Sequence, residues 1–304
     1  MTDDRPFLGI LLMLAFCVLA PLGDSVAKLL GGHVSLPILI VVRFGVQVLL
    51  LLPLMWHLGL GFRLPRGTFT LTIARTLLHM TGIALMFSAL RYLPLADALA
   101  IAFVMPFIML LLGHYILGEE VGRARMIACA VGFIGTLLVI QPNFASVGWP
   151  ALLPLGVAVI FALFMMVTRQ IAKKIDPISL QAISGVQATV ILLPLVLLFP
   201  SLQGGGISLD QSTLTLLLLL GGLGTVAHLA MTWSLRFAPA STLAPMQYLE
   251  IPFGTLIGWL IFKDLPNGLA ALGICITMAA GLYIILRERR LSALPPQNPA
   301  PPAV

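Results

Sequence analysis

Apolar runs of about twenty residues follow one another along the chain, each closed by a short polar or charged segment. They fall at roughly 7–30, 37–58, 68–90, 94–117, 123–141, 149–171, 178–199, 213–236, 239–262 and 267–286. A helix of that length crosses the roughly 30 Å hydrocarbon core of a bilayer. The pattern predicts an all-α integral membrane protein with ten transmembrane helices, numbered here as spans one to ten. The composition agrees: of 304 residues, 60% are hydrophobic and only 9% charged. A soluble domain could not bury so much apolar surface inside itself.

The net charge of +6 would suit a nucleic-acid partner if the cations formed a patch, but they do not. With the N-terminus inside, the cytoplasmic segments hold Arg5, Arg63, Arg66, Arg123, Arg125, Arg169, Lys173, Lys174, Arg236, Arg287, Arg289 and Arg290. The opposite side holds Lys28, Arg91 and Lys263. That is the positive-inside pattern, so the charge reports orientation and no nucleic acid is expected. It predicts a multi-pass protein of a bacterial inner (plasma) membrane with both termini cytoplasmic. Asp3, Asp4 and Arg5 before an apolar run resemble a signal peptide, but nine further spans predict an uncleaved first helix. Cys17, Cys129 and Cys275 lie singly in different spans and suggest neither disulfides nor a metal. The Pro- and Ala-rich segment 291–304 is expected to be a disordered cytoplasmic tail.

The chain also repeats itself. Leu90-Arg91-Tyr92-Leu93-Pro94 returns as Leu235-Arg236-Phe237-Ala238-Pro239, and Gly113 and Glu119 return at the same offset as Gly258 and Asp264. Val26-Ala27-Lys28 matches Ile171-Ala172-Lys173. Gly45-Val46-Gln47 with Pro53 matches Gly185-Val186-Gln187 with Pro194. Spans one to five (7–141) therefore correspond to spans six to ten (149–286). Five is odd, so the second copy is expected upside down relative to the first, an arrangement by which many secondary transporters build two gates around a midplane site.

Ten spans, two five-helix halves, the LRYxP and LRFxP junctions and Gly118-Glu119 at the end of span four resemble the drug/metabolite transporter superfamily, EamA type. The stretch from Ala240 to Pro266 is similar to the second EamA repeat. Proteins resembling it carry amino acids, riboflavin, S-adenosylmethionine, nucleosides and other small solutes, so the resemblance implies transport without fixing the substrate. Where the first half reads Gly118-Glu119 the second reads Lys263-Asp264, a departure from exact symmetry between the two gates.

Ionisable side chains inside a span cost about 2.5–3.5 kcal/mol each and must face protein, a partner charge or water. Asp24, Lys28, Arg43, Arg75, Asp97 and Glu250 are the candidates. Asp24 and Lys28, four apart, share a helix face. They are either a self-neutralised pair or an outer-gate pair that exchanges partners with Arg43 or Asp97. Asp97 after Pro94 reads as a helix cap. Arg43, with Gln47 one turn on, is expected to line a cavity, binding a substrate carboxylate or pairing with Asp24. Arg75, with His79 one turn deeper, either faces that cavity or snorkels to the inner interface.

Glu250 stands out because it lies mid-span between Pro245 and Pro252, with Pro106 at the matching depth of span four. Proline frees a backbone carbonyl, and interrupted spans at matching positions point to a binding site. Gln247 and Glu250 are expected to share a face, flanked by Tyr248. Glu250 would bind a cationic group or carry a coupling proton, or else be a structural hydrogen-bonded acid. His79 and His228 read as structural donors or as substrate-contacting relays, and Trp233 as a cavity wall or a packing residue. Met86, Met105, Met109 and Met165 read as core, some giving an adaptable pocket surface. Gly132, Gly135, Gly273 and Gly281 make spans five and ten scaffold or homodimer surface.

These readings predict a secondary transporter moving a small organic metabolite by alternating access, with no cofactor. The chain has no Walker motif, so ATP is not the direct energy source. A passive channel or a non-transporting sensor is the alternative. A membrane-embedded enzyme would need HExxH, GxSxG or paired intramembrane aspartates, and the sequence has none.

Overall fold

The computed structural model describes residues 5–118, 122–140, 148–202, 210–263 and 268–292. The candidate motif residues Glu119 and Asp264, and the tail from 293, lie outside them. The described residues form helices α1 (Pro6–Leu30), α2 (Leu36–His57), α3 (Phe69–Ala89), α4 (Leu95–Ala102), α5 (Met105–Leu117) and α6 (Arg123–Ile140). After a 3₁₀ turn at Trp149–Leu152 come α7 (Leu153–Ala172), α8 (Pro177–Leu198), α9 (Gln211–Phe237), α10 (Ala240–Gln247), α11 (Glu250–Phe262) and α12 (Gly268–Ser292). Helix is what the sequence requires, because in lipid each backbone N–H and C=O must be satisfied within the segment. Prolines begin α1, α2, α5, α7 and α8 in the first turn, where no N–H is needed.

Among the described residues, seven segments are long and apolar enough to cross a membrane: α1, α2, α3, the run Leu95–Ile116, α7, α8 and α9. Glu250–Phe262 and Ala271–Tyr283 are shorter apolar helices. Large apolar side chains such as Leu49 (72% exposed) and Leu198 (73% exposed) point outward. That outer surface is suited to lipid and not to water.

Spans four and nine are interrupted, as their prolines lead one to expect. Each breaks into a segment of eight residues and one of thirteen, separated by two residues: Phe103 and Val104 in one, Tyr248 and Leu249 in the other. Pro106 cannot donate to the Ala102 carbonyl, and Pro252 cannot donate to that of Tyr248. The chain tightens there, with Phe103 N–H reaching the Leu99 and Ala100 carbonyls and Ile251 N–H that of Tyr248. Both thirteen-residue segments end in a left-handed residue, Gly118 (φ 65°) and Lys263 (φ 61°).

The principal helix packings join α1 to α9, α3 to α7, α2 to α8 and α6 to α12. Polar contacts define two ends of the bundle. At one, Arg5 N–H donates to the Phe237 carbonyl (2.8 Å), Arg169 to the Leu235 carbonyl (2.6 Å), and Arg236 pairs with Asp176 (3.6 Å). At the other, Arg91 donates to the Val34 carbonyl (3.1 Å), Lys28 to that of Leu93 (3.2 Å) and Ser35 to that of Leu202 (3.0 Å). These are the Arg5 end and the Val34 end.

Candidate functional site

A cavity of about 90 Å³ lies toward the Val34 end. α1 contributes Phe16, Ala20, Gly23 and Asp24, α2 Arg43, and α3 Ile83, Met86 and Phe87. The α4–α5 junction adds Leu99, Ala102, Phe103 and Met105, α7 Val157 and Phe161, α9 Leu220, Gly224, Ala227 and His228, and α11 Glu250. The break between α10 and α11 puts Glu250 in a first turn, buried yet facing this space. The Met105 wall comes from the equivalent break between α4 and α5. Among the charged side chains, Asp24, Arg43 and Glu250 meet here. Asp24 is close enough to feel both of the others electrostatically.

Arg43 is held in place from one side only by neutral groups. It donates to Gln47 Oε1 (3.1 Å) and meets His228 Nδ1, and Gln47 in turn donates to the Gln181 carbonyl (2.7 Å). His228 Nδ1 lies 3.0 Å from both Arg43 Nη2, which can only donate, and the Gly224 carbonyl, which can only accept, so either tautomer satisfies one of these two contacts and not both. His228 is edge-on to Phe16 (5.7 Å) and Phe161 (6.0 Å), and His79 lies 4.3 Å from it.

Arg75 does not snorkel. It is fully buried, donating through Nε to Thr168 (2.9 Å), through Nη1 to Ser184 (2.7 Å), and through Nη2 to Gln181 Oε1 (3.2 Å) and Thr232 (3.3 Å). The hydroxyls and amide of α7, α8 and α9 give it a better environment than the interface would.

Of the sequence candidates, Asp24, Arg43, His228 and Glu250 are brought together at the cavity, with Gln47 behind Arg43. Arg75 and His79 lie beyond it, toward the Arg5 end. Lys28 turns from Asp24 to the Leu93 carbonyl and the Phe262 ring (4.8 Å). Asp97 lies in the first turn of α4. Gln247 and Glu250 do not share a helix face, because the helix breaks between them. Gln247 is buried among the sulfurs of Met165 (2.9 Å), Met109 (3.9 Å) and Met13 (4.0 Å). Tyr248 donates to the Cys129 carbonyl (3.1 Å) and packs against Gly132. Trp233 is half-buried against Leu51, Met55 and Leu229. Sequence reasoning missed the aromatic lining (Phe16, Phe87, Phe103 and Phe161), since phenylalanine in an apolar span is ordinary. It also missed Thr168, Ser184, Gln181 and Thr232, whose only signal was polarity within apolar runs.

The EamA-like transporter family matches this chain twice, over residues 7–141 and 148–287. A riboflavin transporter of Rhizobium johnstonii is 30% identical over 83% of this chain and 82% of that protein. One of Vibrio cholerae is 27% identical over 95% and 96%, and an S-adenosylmethionine uptake transporter of Rickettsia prowazekii 24% over 93% and 94%. A solved crystal structure superposes with a TM-score of 0.71 at 20% identity, covering 95% of this chain and 98% of that one, and so shares the fold. With apolar helices that cross a membrane several times and two consecutive family matches over nearly its whole length, this chain belongs to the EamA-like transporters of the drug/metabolite transporter superfamily, carriers of small molecules and not enzymes.

Proposed function

We propose that this protein carries a planar heteroaromatic metabolite of the flavin kind across a bacterial inner membrane by alternating access. The observation that carries this reading is the cavity wall: Phe16, Phe87, Phe103, Phe161 and His228 offer ring faces and edges to a flat solute. Riboflavin is the solute in the names of the Rhizobium and Vibrio relatives. Arg43 and His228 would hydrogen-bond its carbonyl and ring-nitrogen acceptors. Asp24 and Glu250 would accept from its N–H and hydroxyl groups, and Glu250 would also carry a coupling proton. Gln47 positions Arg43, while Lys28, Gln247 and Tyr248 tie together the helices that carry the walls, and Trp233 packs outside the cavity lining.

Alternating access follows from two inverted five-helix halves, 7–141 and 149–286, with both termini cytoplasmic. Supporting this, exchanging the halves turns the α1–α9 packing into α7–α3 and the α5–α7 packing into α11–α1. It leaves α2–α8 and α6–α12 unchanged. The identical eight-plus-thirteen division of the broken helices agrees.

Reconstituted protein is expected to take up labelled riboflavin saturably, faster when unlabelled riboflavin is trapped inside. Flux that is linear in concentration and indifferent to trapped riboflavin would mean a channel. A second reading has its own support: two carboxyl groups at the cavity suit a cation, and the Rickettsia relative is named for S-adenosylmethionine. S-adenosylmethionine counterflow, with riboflavin failing to compete, would decide for it.

A further inference from the structure

Past His228, toward the Arg5 end, the bundle is polar but tightly closed. His79 stacks on Phe164 (4.6 Å), and both its ring nitrogens are buried without a hydrogen-bond partner. The Arg75 guanidinium lies over the same Phe164 ring, 4.8 Å from its centre. Its four acceptors, Thr168, Ser184, Gln181 and Thr232, all stand on the opposite half of the chain, so one side chain ties α3 to α7, α8 and α9. All four are neutral. An arginine in a protein interior keeps its proton. The cluster therefore cannot part unless other acceptors replace the ones it loses, because a bare guanidinium in a low dielectric is strongly disfavoured.

We propose that Arg75 closes the Arg5 end of the transit path and opens by exchange. Oxygens of the solute replace Thr168, Ser184, Gln181 and Thr232 as its partners, and the path past His79 joins the cavity. This rests on the transport reading above and adds a second solute contact, away from the aromatic walls. That contact has its own chemical demand: the solute must bring several oxygen acceptors in one segment, as a polyol or carboxylate-bearing chain does. A solute or water passing His79 also supplies the partners that the closed arrangement withholds from its ring.

The test places a cysteine at Ile83, on the cavity wall, in protein whose three native cysteines are replaced by alanine. Sealed vesicles of known orientation receive a membrane-impermeant maleimide on the Arg5 side. Without solute, labelling of the parent is expected to be slow, and Arg75→Gln to raise it about tenfold or more. Ser184→Ala with Thr232→Val, which keeps the charge and removes two acceptors, is expected to act in the same direction and decides the matter if Arg75→Gln does not fold. Riboflavin should speed labelling of the parent, whereas lumichrome, the ring system without the polyol chain, should not. Both variants labelling at the parental rate overturns the proposal, as does fast labelling of the parent without solute. Equal effects of riboflavin and lumichrome overturn the exchange. Riboflavin counterflow in the same vesicles separates the two readings: its absence beside an open Arg75→Gln strikes the flavin reading alone, and its presence beside unchanged labelling strikes the gate alone.

Discussion

Arg43 reaches His228 only because residue 224 has no side chain. A Cβ on Gly224 would lie 2.0 Å from Arg43 Nε and 2.3 Å from its Cζ, so the guanidinium passes directly against the α9 backbone. Gly224→Ala is expected to displace Arg43 and weaken riboflavin binding about tenfold, a loss of some 1.4 kcal/mol, as read by flavin fluorescence quenching. Glu250→Gln is expected to abolish uptake driven by a pH gradient while sparing exchange. Unchanged pH dependence of uptake would remove Glu250 from the coupling role. Asp24, Arg43, His228 and Glu250 were legible in the sequence because an ionisable group in an apolar run must face something polar. Thr168 and Thr232 were not, because each also bonds the carbonyl four residues back, Phe164 and His228 respectively. A hydroxyl satisfied within its own helix sends no signal that it serves a partner on another.

The broken helices show what proline does and does not reveal. Pro106 and Pro252 announced an interruption, but each break lies ahead of its proline, near the carbonyl that the missing N–H abandons. Reading span nine as unbroken between Gln247 and Glu250 therefore joined them on one face, although the turn between them sends one into the methionine cluster and the other to the cavity. The two breaks coincide but their prolines are offset by a residue: counting from the matched helix starts, Pro106 aligns with Ile251, not Pro252. At the far ends the match is sterically unequal. Lys263 holds the left-handed conformation that Gly118 adopts freely, and a residue with a Cβ pays about 1 kcal/mol there. Lys263→Gly is expected to raise the unfolding temperature of the purified protein by a few degrees. No change would mean that the lysine's position over the Trp259 ring (5.9 Å) offsets the strain.

The principal packings of the molecule, α1 on α9, α3 on α7, α2 on α8 and α6 on α12, all join residues before 141 to residues after 148. The twofold family match was legible in Arg91 and Arg236, in Gln47 and Gln187, and in the prolines that accompany them. The interleaving was not, since similarity within a chain says which segments are alike and nothing about which of them touch. α6 and α12 meet at close quarters, where a Cβ on Gly135 would come within 2.7 Å of the Gly273 carbonyl. Gly135→Leu is expected to cut the yield of monodisperse protein severely, while Gly222→Ala, where a Cβ meets nothing within 4 Å, should not. Interleaving also sets a condition on biosynthesis. When α1, α2 and α3 leave the ribosome, α9, α8 and α7 have not been made, so Arg43 enters the bilayer with Gln47 but without His228, and Arg75 before any of its four acceptors exists. The nascent first half has to wait, with its polar side chains sheltered by insertion factors, lipid headgroups or water. The partner of α6 is α12, made more than a hundred residues later, so a chain that stops between them leaves an orphan suited to quality-control proteases and not a smaller carrier.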